Sequence, residues 1–326
     1  MSDPTSNETP PTTVNATNEP PIADRSSALV ALGVIEIILG GLCGLMMVFM
    51  GIMLLAMPSL PHPPGQPQPS MGAMLPAVSI YGLWAVSFIF IGIGTVRAKR
   101  WARRLNVIFS TMWLIAGGLM LLGAIVVGAF VELPPQPGVP PMMMGIVILV
   151  MAVVVAIFFV ALPGSFLLFF RSRGVVATCE RRSPPDWSDA VPMSVLGLAA
   201  LLAHYAYMLL AMSWTGAPTA AFGHVLGGAG ATAFNVAQAA LWAVLTLGVY
   251  QRRKLAWWGT LAATLVLTLG NSLTMTLIKP DEFAKMSGLP PGQPLPFNPS
   301  AMLPIMLVCI LPLLIFIVWT RKHFTK

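Results

Sequence analysis

The chain has 326 residues, of which 56% are hydrophobic and only 9% are charged, and its formal net charge at pH 7 is +7. A soluble domain carries about 25% charged residues and could not bury so much apolar surface in its interior. The composition therefore excludes a soluble globular protein and predicts an integral membrane protein whose apolar surface is covered by the lipid bilayer.

The first 27 residues differ from the rest of the chain. Segment 1–27 is rich in Pro, Thr, Asn and acidic residues and contains no aromatic residue, which is typical of disordered segments. It also lacks the basic region with which a secretory signal peptide begins. We therefore predict a disordered cytoplasmic tail at 1–27.

Eight apolar segments follow the tail, and each approaches or exceeds the roughly 20 residues that a bilayer-spanning helix requires. Helices are predicted because backbone N–H and C=O groups in hydrocarbon must be paired within their own segment. The predicted spans are 28–57, 76–96, 106–131, 143–170, 191–213, 229–250, 256–278 and 301–319. The fold class is thus an all-α membrane protein with eight transmembrane helices and a basic C-terminal tail at 321–326.

The basic residues predict the orientation of these spans. When the N-terminus is placed inside, 16 of the 18 Lys and Arg residues fall on the cytoplasmic side, and only Lys279 and Lys285 fall outside. Cytoplasmic loops carry such an excess of basic residues, so we predict cytoplasmic termini and an inner (plasma) membrane location. The positive net charge then reflects topology and attraction to lipid headgroups, and it is not evidence for nucleic-acid binding.

Three similar proline segments lie on the predicted outer side, each between two spans. They are 63–69, 134–141 and 290–296. Proline ends a helix and stiffens the chain toward polyproline II, so one interpretation is a set of semi-rigid connectors. The alternative is a docking surface for a protein partner, because extended proline segments fit aromatic grooves.

The sequence also contains a possible internal duplication. The tetrapeptide Leu-Trp-Ala-Val occurs at 83–86 and again at 241–244, and each copy is followed by an apolar run, a glycine and a basic cluster. We therefore predict two homologous four-helix units, which are 28–170 and 191–320, joined by a cytoplasmic linker at 171–190. Four spans per unit make both copies enter the membrane from the same side, as a parallel repeat.

The linker carries a distinctive short pattern. It contains C-E-R-R from Cys179 and, after two prolines, W-S-D from Trp187, with Pro192 shortly afterwards. This segment resembles uncharacterised multi-pass inner-membrane proteins of bacteria, and the resemblance is confined to it. It implies a bacterial membrane location and no known activity.

Polar side chains within the spans are the candidate functional residues, because ionisable groups in hydrocarbon are costly and often mark ion or substrate pathways. Glu36 is the one acidic residue well within a predicted span, and His204 lies midway along the fifth. Asn235, Gln238 and Asn271 complete a candidate intramembrane polar site. The functional interpretation is a proton or cation site, and the alternative is hydrogen bonding between neighbouring helices.

Sequence motifs for catalysis are missing. The chain contains no H-E-x-x-H, G-x-S-x-G, P-loop or C-x-x-C pattern, and its three cysteines lack metal or disulfide spacing. We therefore predict no enzymatic activity, no cofactor and no metal site. Two function classes remain: a non-enzymatic membrane component that acts through partners, and a small-molecule or ion carrier with Glu36 and His204 on its path. The sequence does not indicate the oligomeric state.

Overall fold

A computed structural model describes residues 23–56, 71–130, 141–216, 218–279, 282 and 302–324. The first part of the chain contains α1 (Ser26–Ala56), α2 (Met71–Val96), α3 (Arg100–Phe130), α4 (Pro141–Ala156), a π-helical segment (Ile157–Ala161), α5 (Leu162–Arg171) and α6 (Arg173–Arg182). The second part contains α7 (Met193–Ser213), β1 (Thr219–Ala221), β2 (His224–Leu226), α8 (Gly228–Tyr250), α9 (Lys254–Leu277), α10 (Met302–Thr320) and a 3-10 turn (Arg321–His323).

Among the described residues, six helices are long and apolar enough to cross a membrane, in agreement with an all-α membrane protein. They are Ser26–Ala56, Leu75–Val96, Arg100–Leu121, Gly145–Arg171, Met193–Ser213 and Gly228–Tyr250. The predicted seventh and eighth spans correspond to α9 and α10, which are not among these six, so the count of eight stays a prediction. Apart from Pro141, the three proline segments lie outside the described residues, as does the tail up to residue 22.

The helices pack as sequential pairs in both halves of the chain. The most extensive contacts are between α1 and α2 and between α7 and α8, while α3 packs on α5 and α9 packs on α10. The two halves meet where α7 contacts α2 and α3. At that contact the Tyr207 hydroxyl donates a hydrogen bond of 2.6 Å to the Ser79 carbonyl oxygen, and Ile108 of α3 joins the buried apolar core of the second half.

The turn between α2 and α3 has the same backbone hydrogen bonds as the turn between α8 and α9. The matched N–H to carbonyl bonds are Arg97 to Ile93 with Gln251 to Leu247, Ala98 to Thr95 with Arg252 to Val249, and Lys99 to Gly94 with Arg253 to Gly248. One residue in each turn has a left-handed backbone, Ala98 with φ 49° and Arg252 with φ 58°. A duplicated unit would produce such a match.

The repeated tetrapeptide is out of register with these turns. Val86, its last residue in the first copy, precedes Gly94 by eight residues, whereas Val244 precedes Gly248 by four. The difference of four residues is about one helical turn, so the two copies lie on the same helix face but at different depths. The matched turns are Schellman motifs, in which many helices end, so they are compatible with the predicted duplication without showing it.

Part of the linker and the last residues of the predicted tail are folded, which the sequence did not predict. Within the linker, α6 packs beside the start of α1, and the Arg25 N–H donates to the Thr178 hydroxyl at 3.1 Å. Arg182 pairs with Asp24 at 3.4 Å. Helix α1 begins at Ser26, so residues 23–27 belong to the folded part of the protein.

Candidate functional site

Glu36 is fully buried in the wall between α1 and α2. Its exposed fraction is 0%. Gly33 and Gly40 lie three residues before it and four residues after it, so all three share the face of α1 that packs on α2. A Cβ on Gly40 would lie 2.7 Å from Ile89 Cγ1, and one on Gly33 would lie 2.8 Å from the Gly92 carbonyl oxygen. The two helix backbones therefore close over the carboxyl group from both sides.

A chain of side-chain hydrogen bonds joins Glu36 to α2 and α3. The Thr95 hydroxyl lies 2.8 Å from Glu36 Oε2 and 3.0 Å from the Ile91 carbonyl oxygen, and either can accept its proton. Asn106 Nδ2 donates to Thr95 Oγ1 at 2.9 Å. Thr95 and Asn106 are themselves 1% and 5% exposed. Three helices are thus connected by one polar network inside an apolar environment, where a satisfied network specifies the packing.

The second carboxyl oxygen of Glu36 takes no part in this network. Oε1 is buried and has no hydrogen-bond partner among the described residues. Leaving a buried polar atom unpaired costs about 1–3 kcal/mol. It is the one feature of the cluster that a purely structural role does not explain.

Glu36 lies well inside α1 but close to the ends of the helices that pack against it. It lies about three turns into that helix, yet its partner Thr95 is the penultimate residue of α2. The first turns of α1 extend past the end of α2, where Leu29 packs with Phe170 and Val175. Glu36 therefore lies level with the ends of α2 and α3 that carry the basic residues, and not at mid-depth.

The other predicted site residues lie elsewhere. Asn235 and Gln238 are 4% and 8% exposed on α8, and Asn235 Nδ2 donates to the Thr219 hydroxyl of β1 at 3.2 Å. Asn271 is half-buried on α9. His204 is half-buried on α7 and has no hydrogen-bond partner among the described residues.

A second polar group therefore surrounds the β1–β2 hairpin. The Gly223 N–H in its turn donates to the Thr274 hydroxyl of α9 at 2.9 Å, and Asn235 reaches β1 from α8. The five predicted residues thus do not form one site. Glu36 belongs to the α1–α2–α3 network, and Asn235 belongs to the hairpin.

The partners of Glu36, Thr95 and Asn106, were not among the predicted site residues. Both lie at the borders of predicted spans, next to the basic cluster, where polar residues are unremarkable. The one signal that could have found them is that a buried carboxyl group needs hydrogen-bond donors. Thr95 is the uncharged polar residue nearest the end of the second predicted span, and Asn106 is the first residue of the third.

The described residues offer this cluster little chemistry beyond hydrogen bonding. It contains one carboxyl, one hydroxyl and one amide, and no second titratable group contacts Glu36 within the described part of the chain. General acid–base catalysis or metal binding would need more such groups. No family model matches the chain, and no curated protein or solved structure is significantly similar to it.

Proposed function

We propose that this chain is an eight-span inner-membrane protein with cytoplasmic termini, and that it acts as a non-enzymatic membrane component through protein partners. The observation that carries the proposal is the sealed position of Glu36. Its carboxyl is 0% exposed, it bonds to Thr95, and the closely packed backbones around Gly33 and Gly40 cover it. These are the properties of a polar connection between helices.

The arrangement favours a structural role over a transport path. A carrier needs ionisable groups that substrate or water can reach. Glu36 is closed off on the α2 side, and His204 is not part of its hydrogen-bond network. A scaffold, subunit or sensor needs only a well-specified bundle with surfaces for other proteins.

The orientation and the two-unit architecture have separate support. The excess of Lys and Arg on one side favours cytoplasmic termini. The proposed two four-helix units, joined by the segment that contains α6, are compatible with the matched turns around Ala98 and Arg252. The resemblance of 179–192 to uncharacterised bacterial membrane proteins adds the inner-membrane location as an expectation.

Native mass spectrometry of the protein, extracted in mild detergent from its own host, tests the proposal. We expect a second protein at a fixed stoichiometry. The proline segments would then be the first place to map contacts by cross-linking. A monomer or homodimer with no second protein would reject the partner hypothesis.

Two variants of Glu36 separate the structural role from a functional one. Glu36→Gln keeps an acceptor for the Thr95 hydroxyl, so we expect the complex and the Tm to be retained. Glu36→Leu removes the hydrogen bond between α1 and Thr95, whose hydroxyl keeps the Ile91 carbonyl oxygen as an acceptor, so we expect a loss of about 0.5–1.5 kcal/mol in stability. Equal destabilisation by both variants would show that the carboxylate itself is needed.

A carrier is the second candidate, and the unpaired Glu36 Oε1 is the observation that favours it. In this case the oxygen would await a proton, a cation or a substrate group. The same mass spectrum would then show a retained small ligand that Glu36→Gln loses. Retention of such a ligand by Glu36→Gln would place its site elsewhere.

A further inference from the structure

An open pocket of about 430 Å³ lies where the first turn of α9 meets the end of α10. Trp257 and Phe324, which are 3% and 5% exposed, form its buried part. Trp258 and Trp319 stand at its rim with about half of their surface exposed. The Trp257 ring is fixed because its Nε1–H donates to the Ile317 carbonyl oxygen at 2.8 Å.

The pocket is strongly cationic. Lys254, Arg321 and Lys322 line it, and none of the lining residues is acidic. The Arg321 guanidinium lies 5.8 Å and 6.0 Å from the ring centroids of Trp257 and Trp258, and Lys322 Nζ lies 5.1 Å from that of Trp319. Such cation–π contacts position a cation without neutralising it, so three positive charges remain available to an anion.

The corresponding place in the first half already contains its anion. Arg100 begins α3 as Lys254 begins α9, because the preceding turns match. Asp189 of the linker lies 3.7 Å from Arg100 NH1 and 2.9 Å from Arg104 NH2. In the second half Lys254 corresponds to Arg100, whereas Trp258 occupies the position of Arg104, and Arg321 and Lys322 after α10 supply the further positive charges. Among the described residues no carboxylate lines the pocket, so an external anion can take the place that Asp189 fills in the first half.

The surface beside the pocket indicates the kind of anion. Leu311, Ile315 and Val318 of α10 are 53%, 67% and 54% exposed. Their spacing of four and three residues places them on one helix face, and Val318, the last of the three, also lines the pocket. An apolar stripe that ends at a cationic, Trp-rimmed pocket matches an acyl chain joined to a charged headgroup, and Trp residues favour that interfacial depth.

We propose that this pocket binds the phosphate group of an anionic phospholipid, with the acyl chains lying along the stripe at Leu311, Ile315 and Val318. The inference rests on the part of the proposed function that places α9 and α10 in the membrane, and it does not depend on the proposed protein partners. A free phosphate ion would use the cations but not the stripe, and this difference allows the two sources to be separated.

The test is native mass spectrometry of delipidated protein with dioctanoyl phosphatidylglycerol, dioctanoyl phosphatidylcholine or inorganic phosphate. We expect one phosphatidylglycerol to bind roughly tenfold more tightly than phosphatidylcholine, given the energy of a basic residue near anionic lipid. The double variant Arg321→Gln/Lys322→Gln should lose this preference. Its matched control, Arg252→Gln/Arg253→Gln, removes the same charge from exposed positions that do not line the pocket, and should keep it.

Three results would overturn the proposal. The first is an unchanged lipid preference in the Arg321→Gln/Lys322→Gln variant. The second is an equal loss in the control, which would mean that diffuse charge attracts the lipid. The third is displacement of the lipid by an equal concentration of inorganic phosphate. If the double variant does not fold, the Lys254→Gln variant provides the test, because this exposed side chain makes no ion pair among the described residues. Several-fold weaker lipid binding by this variant supports the site, and unchanged binding rejects it.

Discussion

Gly40 and Gly41 are neighbours in α1 with opposite surroundings. A Cβ on Gly40 would lie 2.7 Å from Ile89 Cγ1 and 2.9 Å from the Ala85 carbonyl oxygen, whereas one on Gly41 would meet no atom within 4 Å. Replacing either glycine by Ala improves the intrinsic helix propensity equally, which stabilises the helix by about 1 kcal/mol. We therefore expect Gly41→Ala to raise the Tm in detergent, and Gly40→Ala to lower stability by about 1–3 kcal/mol through overpacking.

Thermal unfolding followed by tryptophan fluorescence measures this pair, and each variant is the control for the other. Equal changes in Tm for Gly40→Ala and Gly41→Ala would mean that α1 does not pack closely on α2 at Gly40. The seal over Glu36 would then be open, and the main support for a structural role would be lost.

At the residue scale the sequence predicted Glu36 as a candidate but not its hydrogen-bond partners. Glu36 is conspicuous because an acidic residue in an apolar span has few explanations. Thr95 and Asn106 are inconspicuous because Thr and Asn are common near helix ends. Their meeting depends on how far α1 slides past α2, and the spacing of apolar residues does not determine that distance.

The turns between helices carry a prediction at the scale of elements. Arg252 has φ 58°, a left-handed conformation that is strained by about 1 kcal/mol for a residue with a side chain. Its neighbour Arg253 has φ −71° and ψ 127°, which any residue adopts easily. We expect Arg252→Gly to raise the Tm of the purified protein, because glycine relieves this strain.

Arg253→Gly is the matched control and removes the same side-chain charge. It should lower the Tm, because glycine only adds freedom to the unfolded chain there. A decrease with both variants would contradict the assigned turn. The same comparison extends to Ala98, whose φ of 49° marks the equivalent turn of the first half.

The long helices were predictable and the short elements were not. Apolar length identified α7 within two residues at 191–213, because hydrocarbon imposes a length and a composition. Helix α6 and the β1–β2 hairpin follow no such rule. The linker that contains α6 is polar, and the two strands have three residues each, which is too short for an alternating pattern to appear.

Reporter fusions test the number of spans in the whole molecule. A secreted phosphatase that needs disulfides is active only outside the cytoplasm. We expect it to be active when fused after Lys279 and inactive when fused after Arg253 or Lys326, because the predicted seventh and eighth spans cross the membrane between these points. Green fluorescent protein at the same positions should give the opposite pattern.

The fusion after Lys279 decides between eight spans and six. If only the six helices that are long and apolar enough cross the membrane, this fusion stays inside and the phosphatase is inactive. The pocket between α9 and α10 would then lie outside the bilayer. An active fusion after Lys326 would instead mean an odd number of spans and would reject the common side for both termini.

The local pairing of the helices leads us to expect an order of assembly during synthesis. Helices α1 and α2 are each other's main partners, as are α7 and α8, so each hairpin can form as soon as its own two helices have been made. The bond between Tyr207 and Ser79 closes across 128 residues of chain, so α2 must wait for α7 before the halves can join. We therefore expect the first half to exist for a time as a partly assembled unit, in which the linker helix α6 and the contact of Asp189 with Arg104 can already form, because they need no residue of the second half's helices.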